Sequence, residues 1–255
     1  MIKRILCLIL LLTPFAAAQT IRVGVAISLS DAMTEIGPAY EKLTGQHVEF
    51  VFGSSGQIMA QIISGAPIDA FISAGSAQID DLEKRGLLQA GSRRVVAGNS
   101  VVLIVPASGA TGVTGFGDLK TTAERIAIGE PTTVPAGQYA MQVLNKLNLA
   151  TPLAGRLIYG SNVRQVLSYV ERGEVAAGIV YSTDAKEAGG RVRVVATAPP
   201  DSHDPVLYPA TIIKLSSQQD ASRRFLDFLA SKPAKDILVE KGFSAPSTAT
   251  TKPTE

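Results

Sequence analysis

Val48-Glu49-Phe50-Val51-Phe52-Gly53-Ser54-Ser55-Gly56-Gln57-Ile58-Met59-Ala60-Gln61-Ile62-Ile63 changes its hydrophobic period midway. Val48 to Phe52 reads as a strand, whereas Ile58, Met59, Ile62 and Ile63 recur at helical spacing. The small and hydroxylated residues between them fall at a helix N-terminus, where free backbone N–H groups and the positive end of the dipole point outward. Such an end binds an anion without a basic side chain.

Outward from this stretch, strands and helices keep alternating. Strands are expected at Ile21 to Ile27, Asp69 to Ala74, Val95-Val96, Val101 to Val105 and Ile126 to Gly129. Others follow at Arg156 to Tyr159, Ala176 to Tyr181, Arg191 to Thr197 and Val206 to Leu215. Helical spacing marks Ala32 to Leu43, closed by Gly45, with Gly37-Pro38 as a kink or the start of a second helix. It also marks Gln57 to Ser64, Ile79 to Arg85, Asp118 to Glu124, Tyr139 to Leu149, Val163 to Val170, Ala221 to Leu229 and Ala234 to Val239. This alternation predicts an α/β fold with parallel sheets covered on both faces. Ligands of such sheets bind beyond the carboxyl ends of the strands.

Composition narrows the function. Lys3 and Arg4, the short apolar run Ile5 to Leu12 and Ala16-Ala17-Ala18 read as a signal peptide cut after Ala18, so the protein is expected in the periplasm. The only cysteine, Cys7, lies inside that segment, which removes disulfides, thiolate catalysis and cysteine metal sites from the mature chain. The remaining 237 residues suit two modest lobes and balance 22 basic against 22 acidic side chains. That balance argues against nucleic acid as a partner. His47 and His203 lack ligand partners at useful spacing, so no cation site and no cofactor are expected.

Four strand-to-helix loops share one chemistry: Ile27-Ser28-Leu29-Ser30-Asp31, Gly53-Ser54-Ser55-Gly56, Val134-Pro135-Ala136-Gly137 and Gly160-Ser161-Asn162-Val163-Arg164. Ser28, Ser30 and Asp31 are each capping residue types, as are Ser161 and Asn162, and Ser54 either caps its helix or reaches a ligand. Tyr181 adds a phenol at the tip of a buried strand, as a donor to a ligand or to a backbone carbonyl. The serine-hydrolase elbow fails because Gln57 stands where its second glycine belongs, and no Gly-Lys-Ser/Thr follows as a phosphate loop needs. No paired carboxylates and no clear general base accompany these loops. Neutral donors converging from several loops describe binding, not an enzyme.

The loop Phe52 to Gly56 together with Gly65 to Ala74, Val134 to Ala140, Asn162 to Leu167 and Gly178 to Ala185 resembles the molybdate-binding periplasmic proteins of ABC importers, over about Thr20 to Phe243. The resemblance implies a two-lobed periplasmic binding protein fold, each lobe a mixed sheet flanked by helices, with a cleft between lobes joined by two crossing strands. It places lobe one at 19–97 plus 206–243 and lobe two at 98–205; the Thr-, Ser- and Pro-rich tail at 244–255 is expected from its composition to be disordered. It implies an oxyanion held by Ser28, Ser55, Ala136, Val163 and Tyr181, an importer permease and ATPase as partners, and a monomer. In this sequence Ile27 stands before Ser28 where the family usually has alanine. A tetrahedral dianion such as molybdate or tungstate suits donors alone, whereas a protonated oxyanion needs an acceptor as well. Sulfate, another oxyanion, a small organic acid, an exported hydrolase using Ser55 and a sensor module remain as alternatives.

Overall fold

The computed structural model of the chain describes residues 20–109, 112–121 and 125–245. Strand β1 (Ile21–Ala26) opens the first sheet and is followed by α1 (Ser30–Thr44), β2 (Val48–Gly53), α2 (Ser55–Ile63), β3 (Ala70–Ile72), α3 (Ser76–Lys84) and β4 (Arg94–Asn99). The chain crosses through Ser100 into β5 (Val101–Pro106) and the second sheet. There follow β6 (Ile126–Gly129), α4 (Pro135–Lys146), α5 (Ala150–Leu153), β7 (Leu157–Gly160), α6 (Val163–Glu171), β8 (Ala177–Tyr181), α7 (Ser182–Glu187) and β9 (Val192–Thr197). Residues 198–205 lead back to β10 (Val206–Ile212), α8 (Gln219–Leu229) and α9 (Lys232–Glu240) in the first lobe.

The two sheets repeat one plan. Their strand orders are β2-β1-β3-β10-β4 and β7-β6-β8-β5-β9. In each, three parallel strands come first. The strand entering from the other lobe then lies antiparallel beside them: β10 against β3, and β5 against β8. The sheets are therefore mixed, where the strand–helix alternation alone predicted parallel ones. The register decides where the loops meet. Ala26 pairs with Gly53 and Gly129 with Gly160, so neighbouring parallel strands end in step.

Alternation within β1 buries Ile21, Val23 and Val25 in one cluster with Met33, Ile36 and Tyr40 of α1. Tyr40 meets Phe225 of α8 edge to face, with ring centroids 5.2 Å apart. A second cluster of Ile58, Ile62, Ile68, Phe71, Ile79, Leu82 and Ile213 seats α2 and α3. Its members on α2, Ile58 and Ile62, are two of the four apolar positions whose spacing marked that helix, whereas Ile63 is exposed.

Several expectations change. Helix α1 runs unbroken through Pro38, because its buried face of Met33, Ile36 and Tyr40 outweighs one lost backbone bond. Helix α2 begins at Ser55 and α4 at Pro135, earlier than their apolar spacing showed. A 3₁₀ turn, Phe116–Lys120, stands where a helix over 118–124 was expected, and 122–124 lie outside the described residues. Strand β4 stays in the first sheet through Asn99, past the boundary expected at 97. Ser244, assigned to a disordered tail, pairs with Gly98 through two backbone hydrogen bonds of 2.9 and 3.0 Å. The signal segment and the tail from 246 lie outside the described residues.

Gly137 lets α4 sit directly on the end of β6. A Cβ at this position would lie 2.0 Å from the Gly129 carbonyl oxygen, which is backbone and cannot swing away. Gly137→Ala should therefore lower unfolding stability by about 1–3 kcal/mol, the usual cost of overpacking. An unchanged urea midpoint would show that α4 is free to shift.

Candidate functional site

Because β1 and β2 end together, and β6 and β7 end together, the loops that leave them point at one another across the two lobes. Ser28, Ser55, Ala136, Val163 and Tyr181 all line one cavity of about 10 Å³, with Ser54 and Ala74 beside them. That space holds about one small group. No residue on its wall is charged.

Ser28 lies in a 3₁₀ turn, Ile27–Leu29, and is buried. Its Oγ is 3.0 Å from the hydroxyl of Tyr208 on β10. Helix α1 has Leu29 at its N-cap with no side-chain cap, so none of Ser28, Ser30 and Asp31 serves as one. Ser55 is the first residue of α2, and its Oγ accepts the N–H of Ala74 at 2.9 Å. Ser54 caps that helix: its Oγ accepts the Gln57 N–H at 3.3 Å, and Gln57 Oε1 accepts the Ser54 N–H at 3.0 Å.

Pro135 occupies the first turn of α4 and needs no donor there, which leaves Ala136 as the first free N–H. On α6, Asn162 is the cap and accepts the Gln165 N–H at 3.0 Å. Val163 follows at the first helical position, where no carbonyl of its own helix reaches its N–H. Tyr181 ends β8, and its hydroxyl donates to the Ala74 carbonyl at 3.3 Å, across the lobes. Burial raises the Tyr181 phenol well above its ordinary range, with Tyr208, Tyr139 and Asp184 adding to the rise, so it stays protonated. A row of rings, Tyr139, Tyr181, Tyr208 and Phe243, runs behind the cavity from one lobe to the other, with neighbouring centroids 5.3–6.4 Å apart.

Contacts that sequence spacing did not reveal hold the cleft closed. The Gly56 N–H donates to the Thr133 carbonyl at 2.9 Å. Gln78 Nε2 donates to Gln138 Oε1 at 3.3 Å. Arg164, in the first turn of α6, pairs with Asp31 of α1 across the lobes. It also stands 2.9 Å from the fully buried Asp184 of its own lobe, a charge–charge contact without hydrogen-bond orientation. These residues are far apart in the chain and polar in type, so no periodicity links them. Only the position of Asp31 and Arg164 in their helices' first turns hinted that both face the cleft.

The chain matches the model of a family described as bacterial extracellular solute-binding proteins over residues 21–244. It is 41% identical over 238 residues to the molybdate-binding protein ModA of Haemophilus influenzae, covering 91% of this chain and 92% of that one. To the protein of the same name from Escherichia coli it is 36% identical over 230 residues, covering 88% of each. The structure of the periplasmic molybdate-binding protein of Azotobacter vinelandii superposes with a TM-score of 0.80 at 25% identity, covering 89% of this chain and all of that one.

Asp184 gives the site region a pH signature. Burial pushes its carboxyl from 3.8 up to about 7, against the opposing pull of Arg164 and the Tyr181 N–H. The folded chain thus holds this proton more tightly than the unfolded one. The group's contribution is complete below about pH 4 and is lost as pH rises through about 7. Asp184→Asn carries no titrating proton, so its stability relative to wild type should rise between pH 4 and pH 8 in urea unfolding. A difference that does not change with pH contradicts this.

Proposed function

The chain belongs to the family of bacterial extracellular solute-binding proteins, within it to the molybdate-binding proteins, and from this premise we propose that it captures molybdate or tungstate in the interlobe cavity for delivery to an ABC importer. The observation that carries the reading is the convergence of five segments from two sheets on one small, uncharged wall. Ser28 and Ser55 offer hydroxyls, Ala136 and Val163 offer N–H groups at helix starts, and Tyr181 reaches the ligand by giving up its bond to the Ala74 carbonyl. A dianion stripped of water needs many such donors and gains from both helix dipoles.

Sulfate differs from molybdate in radius and not in charge, so selection between them falls to the fit of the closed lobes. A hydrolase using Ser55 needs a base beside it. His47 instead pairs with Glu41, and His203 contacts the Asp204 carbonyl. We read the protein as a binding protein without catalysis. It acts as a monomer in the periplasm, and its partners are the importer's permease and ATPase. No cofactor takes part.

Calorimetric titration with molybdate, tungstate and sulfate tests the reading. Molybdate and tungstate should bind and sulfate should not. At ligand about 100-fold over the dissociation constant, unfolding stability should rise by about 2.7 kcal/mol. Equal responses to all three anions, or none, would sink the proposal.

Closure can be tested apart from folding. A Cβ on Gly56 would lie 2.4 Å from the Thr133 carbonyl oxygen of the other lobe. Within its own helix, alanine is the better residue by about 1 kcal/mol. Gly56→Ala should therefore keep or raise the stability of the ligand-free chain while weakening molybdate at least about tenfold, or about 1.4 kcal/mol. Retained affinity would mean that ligand is held without the lobes meeting here.

A further inference from the structure

The hydrogen bonds behind Ser28 have a direction. Asn99, the last residue of β4 before the crossing, uses its whole amide. Its Oδ1 accepts the Ser100 N–H and the Ser182 hydroxyl, both at 2.9 Å. A backbone N–H can only donate, so the Ser100 bond fixes which end of the amide is oxygen. The Nδ2 group then donates to Thr183 Oγ1 at 2.9 Å and to the Tyr208 hydroxyl oxygen at 3.1 Å. Tyr208 is fully buried, and among the described residues its only other hydrogen-bonding neighbour is Ser28 Oγ, at 3.0 Å. Its one proton therefore goes to Ser28, since the reverse arrangement leaves a buried phenol donor unpaired. One lone pair of Ser28 Oγ is thereby taken, and its own proton is left for the cavity. Ser55 is set the same way by a different donor, the Ala74 N–H.

We propose that Asn99 and Tyr208 are positioning residues that point the Ser28 proton at the bound anion, so that Ser28 meets it as a donor and favours an oxyanion without a proton of its own. The relay runs from the strand crossing to the ligand, Ser100 to Asn99 to Tyr208 to Ser28. It rests on the reading of the cavity as an oxyanion site, and it adds a source for the discrimination between molybdate and phosphate, whose forms near neutral pH all carry a proton.

A double-mutant cycle tests it, with molybdate affinity and the molybdate-to-phosphate preference measured by calorimetry on the full chain. Tyr208→Phe should weaken molybdate about tenfold, the worth of one hydrogen bond to a charged ligand. Phosphate should lose less, so the preference narrows. In the Ser28→Ala background, Tyr208→Phe should change molybdate affinity less than about twofold, because the relay then ends on nothing. Asn99→Asp provides a second variant of nearly the same shape. Its carboxylate accepts the Tyr208 proton and reverses the relay, so Ser28 donates backwards and shows the ligand a lone pair. The added charge weakens every anion, but the preference for molybdate over phosphate should also fall, and that ratio reads the relay. Equal losses from Tyr208→Phe with and without Ser28, or proportional losses for molybdate and phosphate in both variants, overturn the relay while leaving the binding function intact. A wild-type chain that binds neither molybdate nor tungstate overturns the functional reading, and the relay with it.

Discussion

Two strand pairs ending in step, Ala26 with Gly53 and Gly129 with Gly160, are what the site depends on. A neutral N–H group helps a buried anion only at hydrogen-bond distance and with its dipole aimed at it. One helix start cannot surround a tetrahedral ion. Four loops and a strand tip can, provided the strands beneath them stop at the same level. Slipping β1 against β2 by one residue would turn every inward side chain of one strand outward and carry Ser28 away from Ser55. The core that fixes the register of Ile21, Val23 and Val25 therefore also fixes the site.

Closing the cleft puts neutral groups of one lobe on neutral groups of the other: the Gly56 N–H on the Thr133 carbonyl, and Tyr181 on the Ala74 carbonyl. At the centre of the contact there is no cation to be neutralised and none to be uncovered. On the proposed reading, selectivity lies in which direction each hydroxyl faces and how closely the lobes approach. The strand crossing has two tasks in this design. It connects the lobes, and through Asn99 it holds an amide whose four hydrogen bonds are all taken.

The periodicity of Val48 to Ile63 was enough to place a strand, a helix and an anion-binding loop between them. The same reading found the loops of Ser28, Ala136 and Val163, because each joins an apolar strand to a helix with small or capping residues. It missed the antiparallel strands as such, since β5 and β10 are buried apolar runs whose direction leaves no mark on composition. Helix α7 escaped notice because Ser182 to Glu187 is mostly polar and is held by position rather than by an apolar face. Tyr208 and Asn99 were invisible for another reason. Their role depends on neighbours 180 and 84 positions away in the chain, and a single sequence carries no trace of such pairings.

Arg164 has partners on both sides of the cleft, and they differ in how they meet water. Asp184 is wholly buried, whereas the Asp31 side chain keeps about a third of its exposure even with the lobes together. When the lobes part, Arg164 retains the partner that cannot be hydrated and gives up the one that can. Opening therefore strands no charge in the interior, and the desolvation penalty that makes broken buried pairs so costly does not arise. A carrier must surrender its cargo as readily as it takes it. Here the interlobe ion pair can part with both Arg164 and Asp31 already in reach of water.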